Sequence, residues 1–307
     1  MSIFDVQLEK NRANFEPLTP VSFLKRAAQV VPDHVAIIHG KRRYTYRTFL
    51  DRSCRLANAL SARNIAAGDC VAIMAANTPE MLEAHNAVPM IGAVLNSLNI
   101  RLDPQTIAFV LDHGEAKVLL TDCAFSSVVK DALALIDREI LVIDIDDSES
   151  EGGERLGEMT YEEFIESVSG EFSSEQPTDE WQALSLLYTS GTTGNPKGCV
   201  YHHRGAYLNA IGNMTTMGLN RNSVYLWTLP MFHCDGWTFT WAVTAAMGTH
   251  VCLRAVEPKA VFDSISQNSV THMCGAPIVM NLLANAPKEM KTPFSQTVEI
   301  ATGGAAP

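Results

Sequence analysis

The sequence predicts an α/β fold built on two mostly parallel sheets. Three observations support this. Short apolar runs of strand length alternate with segments whose apolar residues recur every three or four positions, the pattern of strands and core-facing helices. The strand-length runs are apolar, as in parallel sheets covered by helices on both faces. The alternation occurs twice, over 68–145 and over 224–302, so two packed sheets are expected rather than one very wide one. Right-handed crossovers then fix the winding.

The first twenty residues are polar and irregular, with Pro17 and Pro20 marking loop. Apolar residues three and four apart predict a helix over 21–31. Strands at 35–39 and 43–45 flank a turn at His39-Gly40-Lys41, a hairpin, and a helix follows over 47–64. The first alternation holds strands at 71–75, 93–95, 117–121 and 140–145. Its helices open at Pro79 and Pro104, where the missing N–H of proline costs nothing, and at Ser126. A strand at 183–189 leads into a glycine-rich loop, 200–201 returns as a short strand, and 203–217 is helical. The second alternation has strands at 224–229, 250–253, 271–275 and 298–302, separated by helices over 237–247, 258–266 and 277–286. There is no internal repeat. These elements divide into two subdomains, 66–200 and 1–65 plus 201–307.

The chain has 307 residues, 47% of them hydrophobic, enough for one large or two ordinary domains. It contains no run of 18 apolar residues and opens with no basic-then-apolar secretory pattern. Its seven cysteines, at 54, 70, 123, 199, 234, 252 and 274, show neither metal-ligand nor framework spacing, which suits reduced thiols in a cytosol-like compartment. Net charge is −11, of which 144–180 holds −13, leaving the rest at +2. That acidic stretch, broken by Tyr161, Phe164 and Ile165, is expected to be a solvated surface excursion. With no basic stripe to meet phosphates, a nucleic-acid partner is not expected.

The stretch 186–198 reads Leu-Leu-Tyr-Thr-Ser-Gly-Thr-Thr-Gly-Asn-Pro-Lys-Gly. A strand breaks here into a loop with four hydroxyls (Thr189, Ser190, Thr192, Thr193), three glycines (Gly191, Gly194, Gly198) and Lys197. Glycines let backbone N–H groups turn toward a ligand, hydroxyls donate to phosphate oxygens, and lysine supplies a mobile charge. Pro196 stiffens the backbone just before Lys197. The combination suits a polyphosphate, but a Walker loop needs Gly-Lys-Ser/Thr opening a helix, and here lysine lies between proline and glycine.

Ten consecutive positions, 189–198, match the Thr-Ser-Gly-Thr-Thr-Gly-x-Pro-Lys-Gly signature of adenylate-forming enzymes, and the chain resembles the acyl-CoA synthetase branch of that superfamily. A second motif, Leu-Pro-Met-Phe-His over 229–233, follows a strand and resembles the superfamily's Leu-Pro-x-Phe-His. The run 303–307, Gly-Gly-Ala-Ala-Pro, resembles its adenine-side loop. The resemblance implies a layered αβαβα arrangement of two mostly parallel sheets. It implies that Thr189, Ser190, Gly191, Thr192, Thr193, Gly194 and Lys197 surround the β- and γ-phosphates of ATP, and that Gly303, Gly304 and Ala305 lie against adenine. His233 would sit near the acyl carboxylate and the α-phosphate, as a catalytic residue with Lys197. Trp237 and Gly275 would line the acyl pocket. Arg254 is either a contact to a CoA phosphate or a solvated surface arginine. Metal ligation by His202, His203, His233 and Cys234 is set aside, because no pair has ligand spacing.

The implied reaction is activation of a carboxylic acid by Mg·ATP to an acyl-adenylate, followed by thioester formation with CoA. The implied partners are therefore a small carboxylic acid, ATP, Mg²⁺ and CoA, in a cytoplasmic protein, or a peroxisomal one if a C-terminal address exists, with a homodimer as the expected assembly. The family's Tyr-Gly-x-Thr-Glu motif, its ribose-holding aspartate and its mobile domain with a catalytic lysine are not among residues 1–307. We read these residues as a partial N-terminal AMP-binding domain, truncated after a strand, with little or no ligase activity alone. Three alternatives stay open: a noncatalytic nucleotide-binding or interaction module, a phosphotransferase that would release ADP, and a relative using a carrier protein or oxygen. The acyl group is not legible, because a single methylene changes discrimination by only about 1–3 kcal/mol.

Overall fold

The computed structural model describes residues 2–4, 6–11, 13–172, 177–189 and 195–304. After α1 (Val21–Val30), the strands β1 (Val35–His39) and β2 (Arg42–Thr45) form an antiparallel hairpin. Thr45 then caps α2 (Tyr46–Ala62), its hydroxyl accepting from the Thr48 N–H at 3.2 Å. The first alternating run is β3 (Cys70–Met74), α3 (Pro79–Met90), β4 (Val94–Ser97), α4 (Pro104–His113), β5 (Ala116–Asp122), α5 (Ser126–Leu133) and β6 (Leu141–Ile145). Next come β7 (Met159–Thr160), α6 (Tyr161–Glu166), β8 (Ala183–Tyr188), β9 (Gly198–His202) and α7 (His203–Thr216). The second run is β10 (Val224–Leu226), α8 (Phe239–Ala245), β11 (Thr249–Val251), α9 (Pro258–Asn268), β12 (His272–Gly275), α10 (Pro277–Ala284) and β13 (Glu299–Thr302).

Two sheets result. One has seven strands in the order β7-β6-β5-β3-β4-β8-β9, parallel except where β9 returns beside β8. The other has six, in the order β13-β12-β10-β11-β1-β2, parallel except for the β1–β2 hairpin. Side chains alternate across each strand and so divide between layers. From β3, Cys70, Ala72 and Met74 meet α4 and α5 on the outer face, while Val71 and Ile73 enter the central layer with α2 and α3. From β10, Leu226 meets α9 on the other outer face, while Tyr225 points to the centre. The five layers are the αβαβα order that the resemblance implied.

Helix α3 lies between the sheets with all twelve residues buried, including Glu80, Glu83, His85 and Asn86. Buried polar groups need partners, and each of these side chains has at least one. Arg42 reaches Glu80 at 2.9 Å, and Arg52 reaches Glu83 at 2.6 Å. The Tyr161 hydroxyl donates to Glu83 at 2.6 Å, and Trp241 Nε1 donates to the His85 carbonyl at 3.1 Å. A helix polar enough to look amphipathic can therefore be central.

Three expectations change. The acidic stretch is not simply a solvated excursion. Asp144 and Asp147 are buried, and Tyr161, Phe164 and Ile165 enter the central core from α6, whose N-terminus carries a capping box of Thr160 and Glu163. The strand expected over 224–229 stops at Leu226, because the carbonyls of Trp227 and Leu229 are taken by Asn77. The helix expected over 237–247 begins only at Phe239, because 234–238 form a left-handed turn.

Candidate active site

Three loops at the carboxyl ends of the strands carry the residues singled out above, the position where α/β sheets bind ligands. The first follows β8. At its base the Thr189 N–H donates to the Lys197 carbonyl at 3.0 Å, and the Lys197 N–H donates to the Thr189 hydroxyl at 3.3 Å. This pairing leaves the Lys197 side chain exposed at the mouth. Ser190, Gly191, Thr192, Thr193 and Gly194 lie outside the described residues, as does Ala305.

The second loop, 227–238, is held from below by the other sheet. Buried Asn77, in the turn after β3, donates through Nδ2 to the carbonyls of Trp227 and Leu229, both at 3.0 Å. Its Oδ1 accepts the Met231 N–H at 2.8 Å. Beneath, Trp227 Nε1 donates to His250 Nδ1 at 3.1 Å, so Nε2 of His250 carries the proton and faces the Thr244 hydroxyl at 3.0 Å. Burial pushes the His250 imidazole down to about 3, which keeps it neutral in this role.

Residues 234–238 then run at φ of 51, 51, 59, 53 and 62°. Each non-glycine residue in that region costs about 1–2 kcal/mol, so the surroundings must over-determine the turn. Gly236 is required at its centre, because a Cβ there would come within 2.5 Å of the Trp227 ring. The Asp235 carboxylate is fully buried. It accepts from Ser185 Oγ at 3.0 Å and lies 3.3 Å from His85 Nε2. Thr240 donates to the Asp235 carbonyl at 3.1 Å. On the far side, Asn213 Nδ2 donates to the Trp237 carbonyl at 2.6 Å, and Asn209 Nδ2 donates to the Thr238 hydroxyl at 2.8 Å.

The turn forms one wall of a cavity of about 540 Å³. A second wall is 200–202 of β9, which begins one residue past Lys197, and a third is the Gly205, Ala206, Asn209 and Asn213 face of α7. The cavity therefore lies between the segments that directly follow the sequence's first two motifs. The third motif arrives through Trp237, whose indole lies so close to Gly303 that a Cβ on that glycine would sit 2.8 Å from the ring. His233 is exposed beside the turn, with Cys234 Sγ 4.0 Å from its Nε2. That contact pushes the imidazole above its ordinary value and draws the thiol below its own.

Two expected contacts fall elsewhere. Arg254 is neither a solvated surface arginine nor free for a CoA phosphate. Its guanidinium meets Asp122 at 2.8 Å and Asp147 at 2.5 Å, both aspartates being fully buried. Gly275 lies outside the cavity wall, buried against Val279 and Met280 and paired with Thr302 one strand away. His202 and His203 serve α7 instead of converging with His233. His202 accepts from the Gly205 N–H, and His203 Nδ1 lies 2.8 Å from the Thr19 hydroxyl. Sequence reasoning missed Asn77, Ser185, Asp235, Asn209 and Asn213. Asn77 had a usable signal, a polar residue just past a strand end. Asn209 and Asn213, four apart on one helix face, had another.

The model of the AMP-binding enzyme family matches residues 24–307. The chain belongs to the AMP-binding enzyme family. This AMP-binding chain is 45% identical over 313 residues to the peroxisomal acetate/butyrate–CoA ligase of Arabidopsis thaliana, a match covering 98% of the chain and 55% of the relative. It is 39% identical over 307 residues to the 2-methylpropanoate–CoA ligase of Humulus lupulus, with the same two coverages. The chain thus spans about half the length of these curated relatives. Its fold matches the N-terminal domain of FACL13 from Mycobacterium tuberculosis, with a TM-score of 0.81 at 24% identity over 94% of this chain and 70% of that one. It also matches O-succinylbenzoate coenzyme A synthetase from Bacillus subtilis in complex with AMP, with a TM-score of 0.74 at 24% identity over 93% and 68%.

Proposed function

We propose that the full-length protein is an AMP-forming acid–thiol ligase that activates a small carboxylic acid with ATP and passes the acyl group to CoA. The observation that carries this reading is the cavity walled by β9, the strand that begins one residue past Lys197, and by Trp237, with the Trp237 ring against Gly303. It supports phosphate, acyl and adenine sites meeting along one strand-end edge. The acetate, butyrate and 2-methylpropanoate in the relatives' names support a short acyl group. The peroxisomal names among them support a peroxisomal location over a cytoplasmic one.

In the first half-reaction the acid's carboxylate attacks the α-phosphorus and pyrophosphate leaves. In the second, the CoA thiolate attacks the acyl carbonyl and AMP leaves. Both steps build negative charge on phosphoryl oxygens, so positioned donors and cations do the catalytic work and no protein nucleophile is needed. Lys197, exposed at its loop mouth, would meet the departing pyrophosphate. His233, shifted toward its protonated form, would face the carboxylate and α-phosphate. Mg²⁺, brought in with ATP, would supply charge neutralisation at the phosphates. Among the described residues no group of His, Cys, Asp and Glu is arranged to hold a metal, so no protein ligand is assigned to it.

Lys197→Ala is expected to slow acid-dependent ATP–pyrophosphate exchange by about a hundred- to a thousand-fold, the scale for one transition-state charge contact. Stability should be unaltered, because the side chain is exposed. Exchange kinetics unchanged by the substitution would remove Lys197 from this role.

A further inference from the structure

The turn at 234–238 is held at its first half by groups buried in the core, Asp235 with Ser185 and Thr240. Its second half, which carries the Trp237 indole, is held differently. The Trp237 carbonyl and Thr238 hydroxyl are bound by the amides of Asn213 and Asn209, which stand four residues apart on α7 and line the cavity. Their neighbours on the same helix face, Gly205 and Ala206, are too small to hold anything across that space. The asparagines' Nδ2 groups are thus the direct tie between the cavity's helical wall and the turn.

We propose that Asn209 and Asn213 are positioning residues that fix the Trp237 indole between the cavity and the Gly303 loop, and so set the length of acyl group the enzyme accepts. This deepens the acid-activating reading above and rests on it for the acyl group. The reasoning is geometric. Five consecutive left-handed residues store strain that returns once a tie is cut. The indole is the large group on the loosened half, and its freedom is limited on the other side by Gly303, which already touches it. A loosened indole no longer gives the cavity a fixed boundary, which relaxes the limit on acid length while leaving the Lys197 loop untouched. The amide must donate, because its partner at Trp237 is a carbonyl oxygen.

The test uses Asn213→Asp in the full-length enzyme, a change of equal size that removes the donor. The acid KM for the best short substrate is expected to rise about ten-fold, the scale of one lost hydrogen bond. The ATP KM should stay within about two-fold, and relative activity should shift toward longer acids. In a Trp237→Ala background the same substitution should have no further effect on chain-length preference, because the asparagine acts through the indole. Unchanged chain-length preference, or effects that simply add in the double variant, would overturn the inference. A wild-type enzyme with no acid-dependent exchange would instead overturn the functional reading. The positioning role is then still decided by fluorescence. The emission lost on Trp237→Phe is expected to be more readily quenched by acrylamide in the Asn213→Asp background, and equal quenching in both backgrounds rules the role out.

Discussion

Asp147→Ala is expected to destabilise the protein by about 3–5 kcal/mol, the cost of leaving buried charge without its partner. Asp147, just past β6, is fully buried and joins both sheets. It accepts from His39 Nε2 at 2.8 Å, Arg42 Nη2 at 2.7 Å and Arg254 Nη1 at 2.5 Å. His39 and Arg42 belong to the β1–β2 hairpin, and Arg254 follows β11. Removing the carboxylate strips His39 Nε2 of its partner and takes one of two carboxylates from each guanidinium, leaving Arg42 with Glu80 alone and Arg254 with Asp122 alone. The exposed pair Arg47–Asp33, at 3.0 Å, provides the control. Its disruption should cost about 0–1 kcal/mol in the same urea-unfolding measurement.

The same network predicts the pH response. Burial works against the ionised form of Asp147, but the His39 hydrogen bond and charge, the Glu149 N–H and Arg254 outweigh it, so the carboxyl lies well below its ordinary value. A depressed carboxyl contributes stability above its unfolded value of about 3.9 and loses it as pH falls through the folded one. Asp122 shares Arg254 but has fewer donors, and burial wins there, raising its carboxyl. Its contribution has the opposite sign, growing as pH falls. Asp147→Asn is therefore expected to flatten the acid limb of the stability curve, with unfolding midpoints measured from about pH 5 down to about pH 1. An acid limb as steep as wild type would show that other carboxyls set it.

Asn77→Ala is expected to cost about 3 kcal/mol, because it strands two buried carbonyls and one N–H, each worth about 1–3 kcal/mol when unpaired. The functional effect should be larger than the stability loss suggests. Asn77 anchors 227–231, and the next residues carry Phe232, His233 and the strained turn. In the full-length enzyme the acid KM should rise while the ATP KM stays close to wild type. Asn77→Asp is expected to be at least as damaging, since it sets a carboxylate against the Trp227 and Leu229 carbonyls. Wild-type acid KM in both variants would detach this loop from the acyl site.

Much of the fold was legible in the sequence because its strands are apolar and its helices begin at recognisable prolines and caps, as at Pro79, Pro104 and Thr45. The elements that were misjudged depend on distant partners. Whether 224–229 stays a strand depends on Asn77, some 150 residues earlier. A left-handed turn inside Cys-Asp-Gly-Trp-Thr has no local signature beyond one glycine, because the ties that impose it come from β8 and α7. Arg254 looked like a surface charge because one aspartate that holds it, Asp147, sits in the acidic stretch, which composition alone marks as solvated, and the other, Asp122, ends a strand more than 100 residues earlier. The phosphate and histidine motifs were visible as strings, but the cavity between the segments that follow them, and the contact of Trp237 with Gly303, depend on both sheets.

The central claim is that these loops form one site that turns ATP and a carboxylic acid into an acyl-adenylate. It is tested most directly by acid-dependent exchange of labelled pyrophosphate into ATP by the full-length protein, across a panel from acetate to benzoate. The account predicts exchange with short acids, AMP as the only nucleotide product together with pyrophosphate once CoA is added, and strongly slowed exchange in Lys197→Ala. Release of ADP, or ATP binding by calorimetry without exchange for any acid in the panel, would contradict it.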